Sequence, residues 1–172
     1  MKIHHILVPT DFSVDAEYVL QQAIVLAARD NAHVLLLHVL RRFEAMWPEG
    51  VWPTRAQLVQ ELQAEVEQRL QAAAAAQPLP VETLAVWGSP ATEICRIAKE
   101  YGTDLIMMST RRRKDLAHIF MGSVTEHVVR YAPCSVLILR TFQPKTARVD
   151  QPSVLRSLHQ RRAGKVYMAR MA

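Results

Sequence analysis

Short, nearly uninterrupted apolar runs alternate along this chain with segments whose apolar residues follow helical spacing. The apolar runs lie at 2–9, 33–40, 81–87, 104–109 and 134–140. Between them, apolar residues recur three and four positions apart in 13–31, 55–76, 89–102 and 123–132. Strands that are apolar on both faces are typical of a parallel sheet covered by helices on two sides. The pattern therefore predicts an α/β fold, βαβαβαβαβ, with a five-stranded parallel sheet.

The order of the strands decides where a ligand would bind. In an open parallel sheet, ligands bind at the carboxyl ends of the strands, where the direction of winding reverses. If the first strand is central and the order is 3-2-1-4-5, this point lies between strands one and four. The loops there are 9–13 and 109–122. Because α/β connections usually take about two to six residues, the second loop is predicted to be either functional or disordered.

The long loop carries four consecutive cations, Arg111 to Lys114, and ends at Gly122-Ser123, where a helix begins. Free amide groups and the positive end of the dipole make a helix N-terminus favourable for phosphate. A guanidinium can also bind phosphate through two hydrogen bonds. A plainer interpretation stays open, in which Ser123 and Glu126 form a capping box and the cations are solvated.

The shorter loop offers an acid at the end of the first strand. Asp11 could accept hydrogen bonds from ribose hydroxyls or a base amine across the crevice. In the alternative interpretation, Asp11 or Ser13 caps the helix that follows. Asp11 alone is a weak signal, and it gains weight only together with a phosphate site at Gly122-Ser123.

Composition and charge narrow the function classes. The 172 residues fit one domain, with no apolar stretch near the roughly 20 residues of a membrane span and no signal peptide. Residues 1–140 carry 14 basic and 15 acidic residues, whereas 141–172 carry seven basic residues and one acid. The basic excess thus belongs to a tail, predicted to lie outside the domain of 1–140 and to be flexible. A nearly neutral body argues against a specific nucleic-acid surface, whereas the tail could contact an acidic protein or an anionic surface.

Several familiar sites are absent from the sequence. A P-loop needs G-x-x-x-x-G-K-[ST], which does not occur, and no acid follows strand three as a receiver domain requires. The histidines have no metal-type spacing, so no metal site is predicted. Cys95 and Cys134 are far apart and are expected to be reduced and buried.

Three ordered blocks resemble the universal stress protein family: "ILVPTDFS", "WGSPATEICRIAKEYGTDLIMMST" and "MGSVTEHVVRYAPCSVLILR". The resemblance covers about residues 2–140. It implies a cytoplasmic stress-response protein with a five-stranded α/β fold, commonly a homodimer through the last strand. Many members bind ATP through a G-x-x-G-x9-G-[ST] motif after strand four. The implied nucleotide site comprises Pro9, Thr10, Asp11, Val39, Ser109, Arg112, Gly122, Ser123, Val124 and Thr125.

This chain departs from that motif at two of its three glycines. Ser109 and Arg112 stand where glycine is expected, although the spacing to Gly122-Ser123 is intact. Glycine lets backbone amides approach a phosphate closely, so the site is interpreted as degenerate. ATP, with Mg²⁺ only alongside it, is the implied cofactor. No nucleophile or general base is evident, so the protein is predicted not to be an enzyme. The alternative is a dimeric interaction module that binds no nucleotide.

Overall fold

The computed structural model of the protein describes residues 2–41, 55–109 and 122–140. The elements within them are β1 (His5–Pro9), α1 (Val14–Asp30), β2 (His33–Leu40), α2 (Arg55–Ala75), β3 (Val81–Trp87), α3 (Pro90–Glu100), β4 (Leu105–Ser109), α4 (Ser123–Tyr131) and β5 (Ser135–Leu139). Each element predicted from the apolar pattern is present, with ends that move by a few residues at most.

All five strands form one parallel sheet in the order β3-β2-β1-β4-β5. In the middle of the sheet, Ile6 of β1 pairs with Val34 of β2 on one side and with Leu105 of β4 on the other. The predicted strand order is therefore confirmed. The two loops expected to border a site leave from neighbouring strands, β1 and β4.

The helices cover both faces of the sheet, as predicted. Alternate side chains of a strand point to opposite faces, so Ile6 and Val8 pack beneath α1 and α2 whereas Leu7 packs beneath α3 and α4. On the first face, α2 presents a continuous buried stripe made of Leu58, Leu62, Val66 and Leu70. Their regular four-residue spacing is part of the apolar pattern that predicted this helix.

One carboxylate joins the beginnings of the two central strands. Oδ2 of Asp104 accepts hydrogen bonds from the backbone N–H of His4 at 2.7 Å and of His5 at 2.9 Å, across 100 residues of chain in the first case. These two bonds lower the pKa of Asp104 because they favour its charged form. The amino end of β1 is thereby fixed to β4.

Helix α3 ends at the glycine that the sequence suggested. Gly102 has φ +58°, a left-handed conformation that costs glycine little. The N–H of Thr103 donates to the carbonyl of Ala98 at 2.9 Å, and that of Gly102 to the carbonyl of Lys99 at 3.3 Å. This pair of bonds forms a Schellman motif, which terminates the helix and turns the chain into β4.

The two cysteines lie on the α3/α4 side of the sheet. Both are free thiols, and both are half-buried rather than buried as the sequence suggested. Desolvation raises the pKa of Cys95 and of Cys134. Since the thiolate is the nucleophile, a raised pKa disfavours reaction at these thiols.

Two predicted features fall outside the described residues. They are most of the basic loop, including Arg111 to Lys114, and the tail at 141–172. In the part of the chain that the structure describes, no helix combines the length and apolar character needed to cross a membrane.

Candidate functional site

The carboxyl edge of the sheet gathers most of the residues implicated by sequence. Pro9 ends β1, Val39 is the penultimate residue of β2 and Ser109 ends β4. Val39 packs against the α3/α4 side of the core. Because the strands are parallel, their carboxyl ends share one edge of the sheet. Arg112 of the basic loop also belongs to the implied site, but it lies outside the described residues.

The β1–α1 loop, residues 10–13, is held in a tight turn by its own side chains. Oδ1 of Asp11 accepts from the N–H of Ser13 at 3.0 Å, and Oγ1 of Thr10 accepts from the N–H of Phe12 at 3.0 Å. Ser13 then caps α1, with its Oγ accepting from the N–H of Ala16 at 3.2 Å. Of the two caps that the sequence left open, Ser13 is therefore the N-cap, and Asp11 fixes the turn before it.

Phe12 is the unusual residue of this loop, and the sequence reasoning missed it. Its φ is +58°, a region that non-glycine residues rarely adopt and that costs on the order of 1 kcal/mol. The Phe12 ring stacks on His38 of β2, with 4.7 Å between centroids and 25° between planes. Arg69 of α2 places its guanidinium carbon 4.2 Å from the centre of the Phe12 ring. A strained backbone and two ring contacts thus coincide in the loop that carries Asp11.

His38 ties this loop to the sheet. Its Nδ1 lies 2.8 Å from the backbone carbonyl of Thr10, so the tautomer protonated at Nδ1 donates there. Burial lowers the pKa of His38 and Arg69 lowers it further, whereas the Thr10 carbonyl and Asp11 raise it. The net direction is downward, which favours the neutral ring.

The start of α4 differs from the capping box at Ser123 and Glu126 that the plainer interpretation of the sequence suggested. The N-cap is Gly122, with φ −60° and ψ 153°, and Ser123 is already the first helical residue. No side chain among the described residues donates or accepts a capping hydrogen bond there. That interpretation is wrong because the helix begins one residue earlier than an S-x-x-E box at Ser123 requires, so Ser123 is the first helical residue and not the N-cap.

The conformation of Gly122 is one that any residue can adopt, and a Cβ built there would meet nothing within 4 Å among the described atoms. Backbone strain therefore does not require glycine. The first bond of the helix runs from the N–H of Glu126 to the carbonyl of Gly122 at 2.9 Å, which leaves the amides of Ser123, Val124 and Thr125 without an intrahelical acceptor. Thr125 itself is buried.

A cleft of about 700 Å³ opens beside this helix start. It extends from Ser123 and Val124 to the start of α3, and it includes residues that the sequence reasoning did not select. They are Arg41, Trp87, Gly88, Ser89, Pro90, Ala91, Thr92, Glu93 and His127. For this part of the chain, the sequence predicted only a helix over 89–102. Helix α3 does begin there, but without a side-chain hydrogen bond from Ser89.

The arrangement suits anion binding better than catalysis. The backbone N–H groups at the start of α4 can donate hydrogen bonds to phosphate oxygens, and a carboxylate at the same edge of the sheet, such as Asp11, can accept them from hydroxyl groups. Within 2–41, 55–109 and 122–140, no three His, Cys, Asp or Glu side chains are grouped to hold a metal ion. The described groups at the start of α4 thus fit the phosphate of a nucleotide.

The chain is similar to known proteins over most of its length. The model of the universal stress protein family matches residues 2–140. A putative universal stress protein of Staphylococcus haemolyticus is 31% identical over 154 residues, covering 83% of this chain and 92% of that one.

Solved structures show the same fold. The universal stress protein UspA from Lactobacillus plantarum is 27% identical, with a TM-score of 0.63 over 81% of this chain and 99% of that one. The universal stress protein from Archaeoglobus fulgidus, solved in complex with dAMP, is 22% identical, with a TM-score of 0.56 over 80% of this chain and 98% of that one. This second likeness speaks for the fold alone. From the family match over 2–140 and the relative at 31% identity, it follows that the chain belongs to the universal stress protein family.

Proposed function

We propose that the protein is a non-catalytic stress-response regulator that binds an adenine nucleotide, with ATP as the first candidate. The nucleotide would lie at the carboxyl edge of the sheet, with its phosphates at the start of α4 and its ribose near Asp11. Ser109 and Arg112 replace two motif glycines, so we take the phosphate site to be degenerate.

The observation that carries this proposal is the start of α4, which no described side chain caps and which borders an open cleft. Three amides without helical acceptors, next to a glycine that no other described atom approaches closely, favour an anion. Further support comes from the neighbouring positions of β1 and β4, whose following loops carry Asp11 and the basic segment. A protein of the same fold from Archaeoglobus fulgidus holds dAMP.

Calorimetric titration of the full chain with ATP tests the proposal. We expect saturable binding that weakens about tenfold in Asp11→Asn, the size of one charge-assisted hydrogen bond. Asparagine keeps the oxygen that accepts from the N–H of Ser13, so the turn is retained. Asp30→Asn is the matched control because Asp30 lies at the far end of α1 and pairs with Arg29. Wild-type protein that binds no ATP, dAMP or cAMP would refute the nucleotide proposal.

The role of Arg112 can be read from the sign of one substitution. If Arg112→Gly binds ATP more tightly, the arginine obstructs a backbone phosphate site. Weaker binding that is also less sensitive to salt would mean that its guanidinium has replaced the backbone amides. Unchanged affinity would assign the basic loop to solvent.

The second candidate function is a dimeric interaction module. It is favoured by β5, which is an edge strand with a partly exposed apolar residue, Leu137 at 40%. An unpaired apolar edge invites pairing with another chain. We expect a homodimer by light scattering at micromolar concentration, and a monomer there would contradict this proposal. Dimerisation without any nucleotide binding would favour this candidate over the first.

A further inference from the structure

The β1–α1 loop has a shape that its local hydrogen bonds do not fully explain. The bonds accepted by Thr10 and Asp11 close the turn, but both are made to backbone amides. They would form equally well with glycine at position 12, where φ is +58°. A phenylalanine keeps such a conformation only when its surroundings hold it there. The contacts of the ring therefore indicate what fixes the loop.

Those contacts come from two elements distant in sequence. His38 of β2 stacks against the Phe12 ring and bonds through Nδ1 to the carbonyl of Thr10, so it contacts the loop through both ring and backbone. Arg69 of α2 adds a cation–π contact at 4.2 Å. We call the three residues Arg69, Phe12 and His38 the loop stack. It joins the loop to a strand and to a helix at one point.

The loop stack lies on the opposite side of the sheet from the cleft. His38 and Val39 are consecutive in β2, so their side chains point to opposite faces. Val39 packs with the α3/α4 core, whereas Phe12 packs with the α1/α2 core. The backbone of β2 therefore lies between the loop stack and the proposed nucleotide.

We propose that Arg69, Phe12 and His38 are positioning residues, which hold the β1–α1 loop in the one shape that presents Asp11 to the nucleotide. The inference rests on the proposed nucleotide function and assigns to it a set of supporting side chains. The affinity for ATP then depends on an aromatic ring and a guanidinium on the far side of the sheet. Helix α2 acts as the support of the site through Arg69.

The test compares three substitutions of Phe12 by calorimetric titration of the full chain with ATP. Phe12→Ala removes the ring, Phe12→Gly also removes the backbone strain, and Phe12→Tyr retains the ring. We expect Phe12→Ala and Phe12→Gly to weaken ATP binding roughly three- to tenfold, the loss of one aromatic contact. Phe12→Tyr should stay close to the wild type. Tyr101→Ala, at the end of α3, is the control for loss of an aromatic residue and should bind normally.

Two further measurements separate positioning from general destabilisation. Arg69→Met retains the length of the side chain but not the charge, and it should weaken binding in the same direction while Arg69→Lys largely restores it. In nitrogen-15 spectra, Phe12→Ala should move the His38 Nδ1–H signal and the amides of residues 10–13, whereas Tyr101→Ala should not. Thermal melts establish that each variant is folded at the temperature of the titration.

The outcomes distinguish the two proposals. If the wild type binds ATP and Phe12→Ala and Phe12→Gly bind it equally well, the loop stack does not position Asp11 and the nucleotide function stands. If all Phe12 variants, including Phe12→Tyr, lose affinity in proportion to lost thermal stability, the role is only structural and the inference is overturned. If the wild type binds no nucleotide, the proposed function fails and this inference fails with it.

Discussion

Helices α1 and α4 both begin at the carboxyl edge of the sheet, but their first turns are completed in different ways. Helix α1 has a serine N-cap whose hydroxyl accepts from the N–H of Ala16. Helix α4 has Gly122 at the same position, and no described side chain caps it. Their surroundings differ too, since the β1–α1 loop is fixed by His38 and Phe12, whereas no described atom would contact a Cβ at Gly122.

This difference separates two uses of a helix start. A capped helix has one of its amide donors satisfied by the protein itself, and this stabilises the fold. An uncapped helix keeps its donors available for an external acceptor, and this favours an anion. We therefore infer that the capped start of α1 holds Asp11 in place and that the start of α4 binds the anion.

The largest effect is expected from adding a side-chain cap to the start of α4. Gly122→Asp places a carboxylate at the N-cap of α4, where it can accept from the free amides and repel phosphate. We expect ATP affinity to fall at least about tenfold, while stability rises by a few tenths of a kcal/mol. Titration calorimetry and thermal melts measure the two effects. Gly122→Asn, which caps without charge, separates occupancy of the amides from repulsion.

An intermediate effect is expected from removing the side-chain cap of α1. Ser13→Ala removes the side-chain cap of α1 and should lower the free energy of unfolding by about 1 kcal/mol. That corresponds to a melting temperature lower by roughly 2–4 °C in a chain of this size. Ser123→Ala is the matched control, since Ser123 is exposed and does not cap α4, and it should shift stability by less than about 0.5 kcal/mol. Equal losses in both variants would abolish the distinction between the two helices.

The smallest effect concerns the pH dependence of stability that comes from His38, which contacts the β1–α1 loop. The pKa of His38 is lowered in the folded state from an ordinary value of 6.5, chiefly by burial. The unfolded chain therefore binds a proton first as pH falls, so this contribution is fully present above pH 6.5 and decreases as pH falls toward the folded pKa. Denaturant titrations between about pH 7.5 and 5.5 should show less stability at the acid end. His38→Gln should flatten that slope, and a slope unchanged by the substitution would exclude His38 as its source.

Much of the fold was predictable because the relevant signal is local. The apolar strands, the helical spacing and Gly102 each appear within a few residues of sequence, and the parallel sheet followed from the alternation of elements. The predicted order was correct to the last strand. The capping box at Ser123 failed because two adjacent residues can both begin a helix, and the pattern alone does not distinguish the N-cap from the next position.

The site was less accessible to sequence reasoning because it depends on contacts between distant residues. Phe12 has no periodicity that foretells a left-handed backbone, and its partners His38 and Arg69 lie in different elements. The sequence predicted a helix over 89–102, but the place of Gly88 and Ser89 beside the cleft became evident only from the fold. The placement of the candidate residues at the carboxyl ends of the strands was predictable, whereas the side-chain contacts between distant residues were not.

The hydrogen bonds that Asp104 accepts from the N–H groups of His4 and His5 have a consequence for how the chain folds during synthesis. The first strand is the middle of the sheet, yet its partner on one side is made about a hundred residues later. At roughly 5–20 residues per second, that delay lasts several seconds. Strands β1, β2 and β3 can pair early, but one edge of β1 stays open until β4 leaves the ribosome. We expect this nascent half-sheet to be the stage at which the protein is most prone to aggregation and most dependent on chaperones.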